Sequence, residues 1–92
     1  MAVSNSALAN ARSAGGAEYA PVEMRAAQEK MDHANRAIEK EDYVNARWLA
    51  EEAQADARLA EKKAQSAKAQ KAASVIQDDI RVLREEINRN SK

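Results

Sequence analysis

Apolar residues recur along this chain in steps of four and three. Ala20, Met24, Ala27, Met31, Ala34 and Ile38 follow one another by 4, 3, 4, 3 and 4, the spacing of one helix face laid lengthwise on a neighbour. A second stripe, Ala46, Ala50, Ala53, Ala57, Ala60, Ala64 and Ala67, repeats the rhythm. Running the first stripe on without a break would put Glu41 and Asn45 on the seam, so the register slips by one at Tyr43. That slip predicts an antiparallel helical hairpin, with helices over residues 20–40 and 42–89; a single helix running from Pro21 to the end is the alternative. Punctuation agrees with the hairpin. Gly15-Gly16 interrupts a helix and Pro21 suits the first turn of the next one, where its missing N–H costs nothing. The second break, Glu39-Lys40-Glu41-Asp42-Tyr43, contains neither Gly nor Pro. Asp42 is positioned there to cap a new helix, with Asn45 as the third residue of an imperfect capping box. Val3, Ala7, Leu8, Ala11 and Ala14 form a shorter stripe, so residues 1–14 are expected to add a third packing helix.

The last helix has no stop signal before about Asn88, roughly 46 residues or 70 Å at 1.5 Å per residue. Its partner, residues 20–40, covers only about 30 Å of that length. Beyond Ala67 the pattern changes, and Ala69, Ala73, Ile76, Ile80, Leu83 and Ile87 continue in threes and fours with larger side chains. This seam is offset by two residues from the alanine stripe and so turns to a different face. Asp78/Arg81, Arg81/Glu85 and Glu85/Arg89 are spaced to support the helix itself. A row of exposed branched aliphatics on an isolated helix calls for a partner. Residues 68–89 therefore read as an oligomerisation or docking coil, with Ile76, Ile80, Leu83 and Ile87 as its interface and Val75 flanking them.

Composition sharpens the picture. Of 92 residues 22 are Ala, whereas Phe is absent and there are one Trp, two Tyr, two Gly and one Pro. Too few turn formers remain for an all-β fold, and the chain reads as one all-α domain. Each buried Ala methyl contributes only about 0.8 kcal/mol, so the larger side chains are expected to anchor the hairpin core: Met24, Met31, Ile38, Tyr43, Trp48, Leu49 and Leu59. The 15 basic and 15 acidic residues cancel, which argues against a dedicated nucleic-acid binder. No apolar run approaches the roughly 18 residues of a membrane span.

Candidate chemistry is sparse. Without cysteine there is no disulfide, thiolate metal site or cysteine nucleophile. His33 is the one histidine, with Glu29 a turn before it and Asp32 beside it. The di-metal bundle pattern needs a Glu three residues before the His, and Lys30 stands there. His33 also lies two residues past the Met31 seam position, which turns it to solvent. Glu51-Glu52, Asp78-Asp79 and Glu85-Glu86 are sequence neighbours that diverge on a helix. Lys62, Lys63, Lys68 and Lys71 make a basic strip without interleaved aromatics, which reads as a solvated face. Catalytic, metal and cofactor sites are therefore all expected to be none. Tyr43, Ala46, Trp48 and Leu49 give the hairpin a tetratricopeptide flavour, but a single unit is too few for a solenoid.

Gly16-Ala-Glu-Tyr-Ala-Pro-Val-Glu23, Ala27 to Ala37, Glu41-Asp-Tyr-Val-Asn-Ala-Arg47 and the run from Leu49 to Glu61 together resemble the bacterial domain of unknown function 4398. The likeness spans roughly residues 3–72. Its most specific pieces are Glu18-Tyr19-Ala20-Pro21, Asp42-Tyr43 with Ala46-Arg47, and Asp56 to Glu61. Members of that family are typically Gram-negative envelope proteins, many made with a lipoprotein signal and some carrying an OmpA-like peptidoglycan-binding domain. The resemblance thus implies a periplasmic module, tethered to the outer membrane through an N-terminal lipidated cysteine in the full-length product. This sequence departs from that pattern in having neither signal nor cysteine, which fits a chain that begins after the lipidation site, and in stopping at Lys92, with no room for a peptidoglycan-binding domain. The family supplies no catalytic residues to carry over.

The expectation is accordingly a non-enzymatic spacer or docking module of the cell envelope. Its partner would be a second copy joined through the C-terminal coil, or another envelope protein, with no nucleic acid and no membrane contact beyond the lipid. The alternatives are a repeat-like helical adaptor for a protein partner, or a small accessory protein of a secretion or toxin-antidote system.

Overall fold

A computed structural model of the chain describes residues 2–91. These residues form four helices and no strand: α1 (Ala2–Ser13), α2 (Gly16–Tyr19), α3 (Pro21–Glu39) and α4 (Tyr43–Asn90). The Ser4 hydroxyl donates to the Ala50 carbonyl at 2.9 Å, and Gly15 lies beside Lys68, so α1 runs alongside α4 in the same direction. Glu23 pairs with Lys63 and Lys30 with Asp56, so α3 runs back antiparallel to α4. The result is an up-down-up head of three helices, from which α4 continues alone.

The hairpin expected from the register slip is present, and the turn that makes it lies where neither Gly nor Pro stands. The amide of Asp42 donates to the Ala37 carbonyl (2.8 Å) and that of Glu41 to Ile38 (2.9 Å), the pair of bonds that defines a Schellman ending. This ending requires a left-handed residue, and Glu41 takes it with φ 60°. Asp42 then caps α4, accepting from the Asn45 amide at 3.4 Å. The Asn45 side chain also donates to the other Asp42 oxygen at 2.6 Å instead of reaching back to the cap's own N–H, as it would in a full capping box.

Between α1 and α3 the sequence reads as a bare break, but one helical turn forms there. Gly15 adopts φ 94°, a conformation open to glycine at no steric cost. Gly16 is buried, and a Cβ on it would sit 2.8 Å from Met24 Sδ and 2.9 Å from the Ala11 carbonyl oxygen. Close approach of α1 to α3 therefore depends on the absent side chain.

Both alanine-rich stripes face inward. Ala20, Met24, Ala27, Met31 and Ala34 are buried on one side, and Ala46, Ala50, Ala53, Ala57, Ala60 and Ala64 on the other, with Ala7, Leu8 and Ala11 from α1. Every buried residue of α4 is alanine. Only Leu8, Met24 and Met31 bring larger side chains to the buried apolar set. Small residues at a helix contact let the axes approach closely, at the cost of little apolar area per residue.

The expected anchors divide into three groups. Met24 and Met31 are buried, Ile38 and Leu49 are partly buried, and Tyr43, Trp48 and Leu59 lie outside, 63%, 58% and 48% exposed. The last three correct the expected core. Trp48 and Leu59 each stand two residues from an alanine of the buried stripe, which at about 100° per residue carries them to the far side of α4. Tyr43 is the first residue of α4, at the hairpin corner where no further layer covers it.

A candidate association surface on the projecting helix

The molecule measures 78 × 18 × 14 Å, with a radius of gyration of 20.7 Å; a compact chain of this length would have about 12 Å. The excess comes from α4. Its last buried residue is Ala64 and Ala67 is partly covered, whereas every described residue from Lys68 onward is exposed. From Ala67, its last partly covered residue, to Asn90 the helix extends about 35 Å, and Lys68 at the start of this stretch reaches back to the head over Tyr19.

Ile76, Ile80, Leu83 and Ile87 lie on this projection, each 44–62% exposed. A residue in mid-helix is partly screened by its own neighbours, so these values describe side chains that nothing else covers. At about 100° per residue the four cluster on one face, turned about 130° from the alanine face that holds the head. Val75 is exposed as well, as is Val82, which the sequence pattern did not single out. Both stand off the seam, in line with the alanine face of α4 lower down.

Polar groups along the projection carry little internal pairing. Asp78 and Arg81 approach to 3.9 Å, while Arg81/Glu85 and Glu85/Arg89, also spaced to pair, form no bridge among the described residues. The helix ends with Ser91, whose amide and hydroxyl both donate to the Ile87 carbonyl, at 3.0 and 2.8 Å.

The head uses its charges to lock α3 onto α4. Lys30 reaches Asp56 at 2.7 Å and Glu52 at 3.8 Å, and the hydrogen bond to Asp56 raises its pKa above the ordinary lysine value. Lys63 pairs with Glu23, and that hydrogen bond holds the Glu23 carboxyl below its usual range. Lys68 stands over the Tyr19 ring, 6.0 Å from its centre. Two members of the basic strip, Lys63 and Lys68, thus serve the head, while Lys62 and Lys71 face solvent.

His33 is exposed on α3. Among the described residues no group of three or more His, Asp or Glu side chains is placed to hold a metal ion. No described helix is long and apolar enough to cross a membrane. At the hairpin end of the head, Val3, Ile38, Tyr43, Arg47 and Glu51 line a shallow groove. This groove is where the displaced Tyr43 sits.

No curated protein and no solved structure matches the chain. A family model does: that of a domain of unknown function, DUF4398, matches residues 1–76. The matched stretch takes in the whole head and the first turns of the projection, and stops at Ile76, the first large residue of the exposed seam. Covering most of the 92 residues, the match makes the chain a member of the DUF4398 family.

Proposed function

We propose that this chain is a non-catalytic spacer or docking module of the cell envelope that works by helix-helix association. One observation carries the reading: a single helix projects about 35 Å from a closed head and holds an uncovered aliphatic seam. About half of each seam side chain remains accessible. Covering it would contribute roughly 3–6 kcal/mol per chain before the entropy of association is subtracted. The head, by contrast, is closed, and its buried polar side chain, Ser4, is satisfied by donating to the Ala50 carbonyl. Placement in the periplasm, with an outer-membrane tether in the full-length product, is supported by what the family resemblance implies.

Light scattering in line with gel filtration tests the reading. The full chain is expected to be a dimer or larger. A chain ending at Ala72, and full-length Ile80→Lys, are expected to be monomers with the helical content of an intact head. Association that survives both changes overturns the assignment of the seam, and a monomeric full chain overturns self-association altogether. Fractionation of cells making the full-length product tests the compartment; recovery in the cytosol overturns it.

A further inference from the structure

We infer that the projecting part of α4 pairs with a second copy of this chain as a parallel, in-register, two-stranded coil confined to residues 69–90, which holds the two heads apart. The inference rests on the association reading above and adds the partner, the direction and the extent.

Direction follows from charge. The step pattern places Ala73, Ile80 and Ile87 at heptad position a, and Ala69, Ile76 and Leu83 at d. Asp79 and Glu86 then occupy g, while Gln77 and Arg84 occupy e. In a parallel pair each g residue faces the e residue five positions further along the other helix. Asp79 therefore meets Arg84 of the second copy, and the two-fold axis makes this contact twice. An antiparallel pair that matches the same aliphatic layers sets g against g and e against e. Asp79 would then meet Glu86, twice, and Arg84 would meet only Gln77. One direction yields two attractive contacts and the other two repulsive ones. Asp79, Arg84 and Glu86 take part in none of the ion pairs among the described residues. Isoleucine at a with leucine at d favours two strands; Ile80, Ile87 and Leu83 follow that rule, and Ile76 at d departs from it.

Extent follows from the same register carried back toward the head. There it leaves only Leu59 at a and Trp48 at d as large apolar residues, against Ser66 and Glu52 at a and Lys62 at d, and it sets Glu51 against Asp56 and Arg58 against Lys63 of the other copy. Like charges would line the contact from both sides, so pairing stops near Ala69. The seam faces away from the alanine face, so a second helix reaches it without displacing α3.

Cysteine cross-linking in the full chain, which has no cysteine of its own, reads the direction. A disulfide needs Cα atoms about 4.4–6.8 Å apart. In the parallel pair Ala73→Cys and Asn90→Cys each link to their own kind, whereas a mixture of the two variants gains no mixed species, since the positions lie about 26 Å apart along the coil. In the antiparallel pair the mixture links and the single variants do not. Charge reversal reads the same distinction in solution. Asp79→Lys is expected to weaken the dimer about three- to tenfold, and Asp79→Lys with Arg84→Glu to restore it. A tighter dimer for Asp79→Lys, or links only in the mixture, overturns the parallel arrangement while the association reading stands. A monomeric full chain overturns both. Fluorescence of the single tryptophan, Trp48, is expected to stay unchanged on dimer formation; a blue shift with concentration overturns the confinement to residues 69–90.

Discussion

At the scale of single residues, two positions hold the head's corners by opposite means. Gly16 works by having no side chain, because the space a methyl would occupy is already filled by Met24 Sδ and the Ala11 carbonyl. Gly16→Ala is therefore expected to cost about 1–3 kcal/mol in chemical denaturation. Glu41 carries a side chain in a left-handed conformation that favours glycine. Glu41→Gly is expected to stabilise the fold by about 0.5–1 kcal/mol in the same assay, by removing the steric cost of that conformation. The difference between these corners also marks what was legible in the chain. Gly15-Gly16 announces a break, while the Glu41 turn is visible only through the register slip and the cap at Asp42. The alanine stripes were readable throughout, because small residues at steps of three and four line up on one side of a helix and let a neighbour come close. Tyr43, Trp48 and Leu59 misled because size suggested core. Their spacing already put Trp48 and Leu59 on the outer face of α4, and phase outweighs bulk when a core is built from methyl groups.

Among elements, α3 and α4 meet along alanine, so the interface is sensitive to added volume. Ala57 is fully buried in the middle of it. Ala57→Leu is expected to destabilise by about 1–3 kcal/mol or to splay the hairpin, which a loss of thermal midpoint without loss of helical content would reveal. Polar clamps on the flanks titrate in a defined sense. Glu23 has its pKa lowered by Lys63, so its contribution is fully present above the unfolded carboxylate value and is lost as pH falls through the folded one. Thermal midpoints measured from pH 6 down to pH 3 are expected to fall less for Glu23→Gln than for the parent chain. Lys30, raised by Asp56, behaves in the opposite sense. Its contribution is present below the unfolded lysine value and is lost as pH rises through the folded one.

For the whole molecule, shape and mass part company. A chain 78 Å long and 18 Å wide is expected to elute from gel filtration ahead of compact proteins of its 10.1 kDa mass even as a monomer. Elution volume alone would then mimic a dimer, and scattering mass is the quantity that distinguishes them. The division into a closed head and a bare extension was legible from the mismatch between a helix of about 30 Å and one of about 70 Å. What covers the extension was not, because a seam records that a surface is apolar and leaves its occupant to charge and register. The family match ends at residue 76, so the head and the greater part of the seam fall on different sides of its limit.

The two-residue offset between Ala67 and Ala69 makes α4 a ruler with a separately adjustable dial. Seven residues inserted there would lengthen the reach by about 10.5 Å and turn the seam by only about 20°. Two inserted residues would add a mere 3 Å or so, yet would swing Ile76, Ile80, Leu83 and Ile87 onto the side where α3 lies. Span and facing can thus be changed one without the other, by edits placed after Lys68 that leave the contacts of the head untouched.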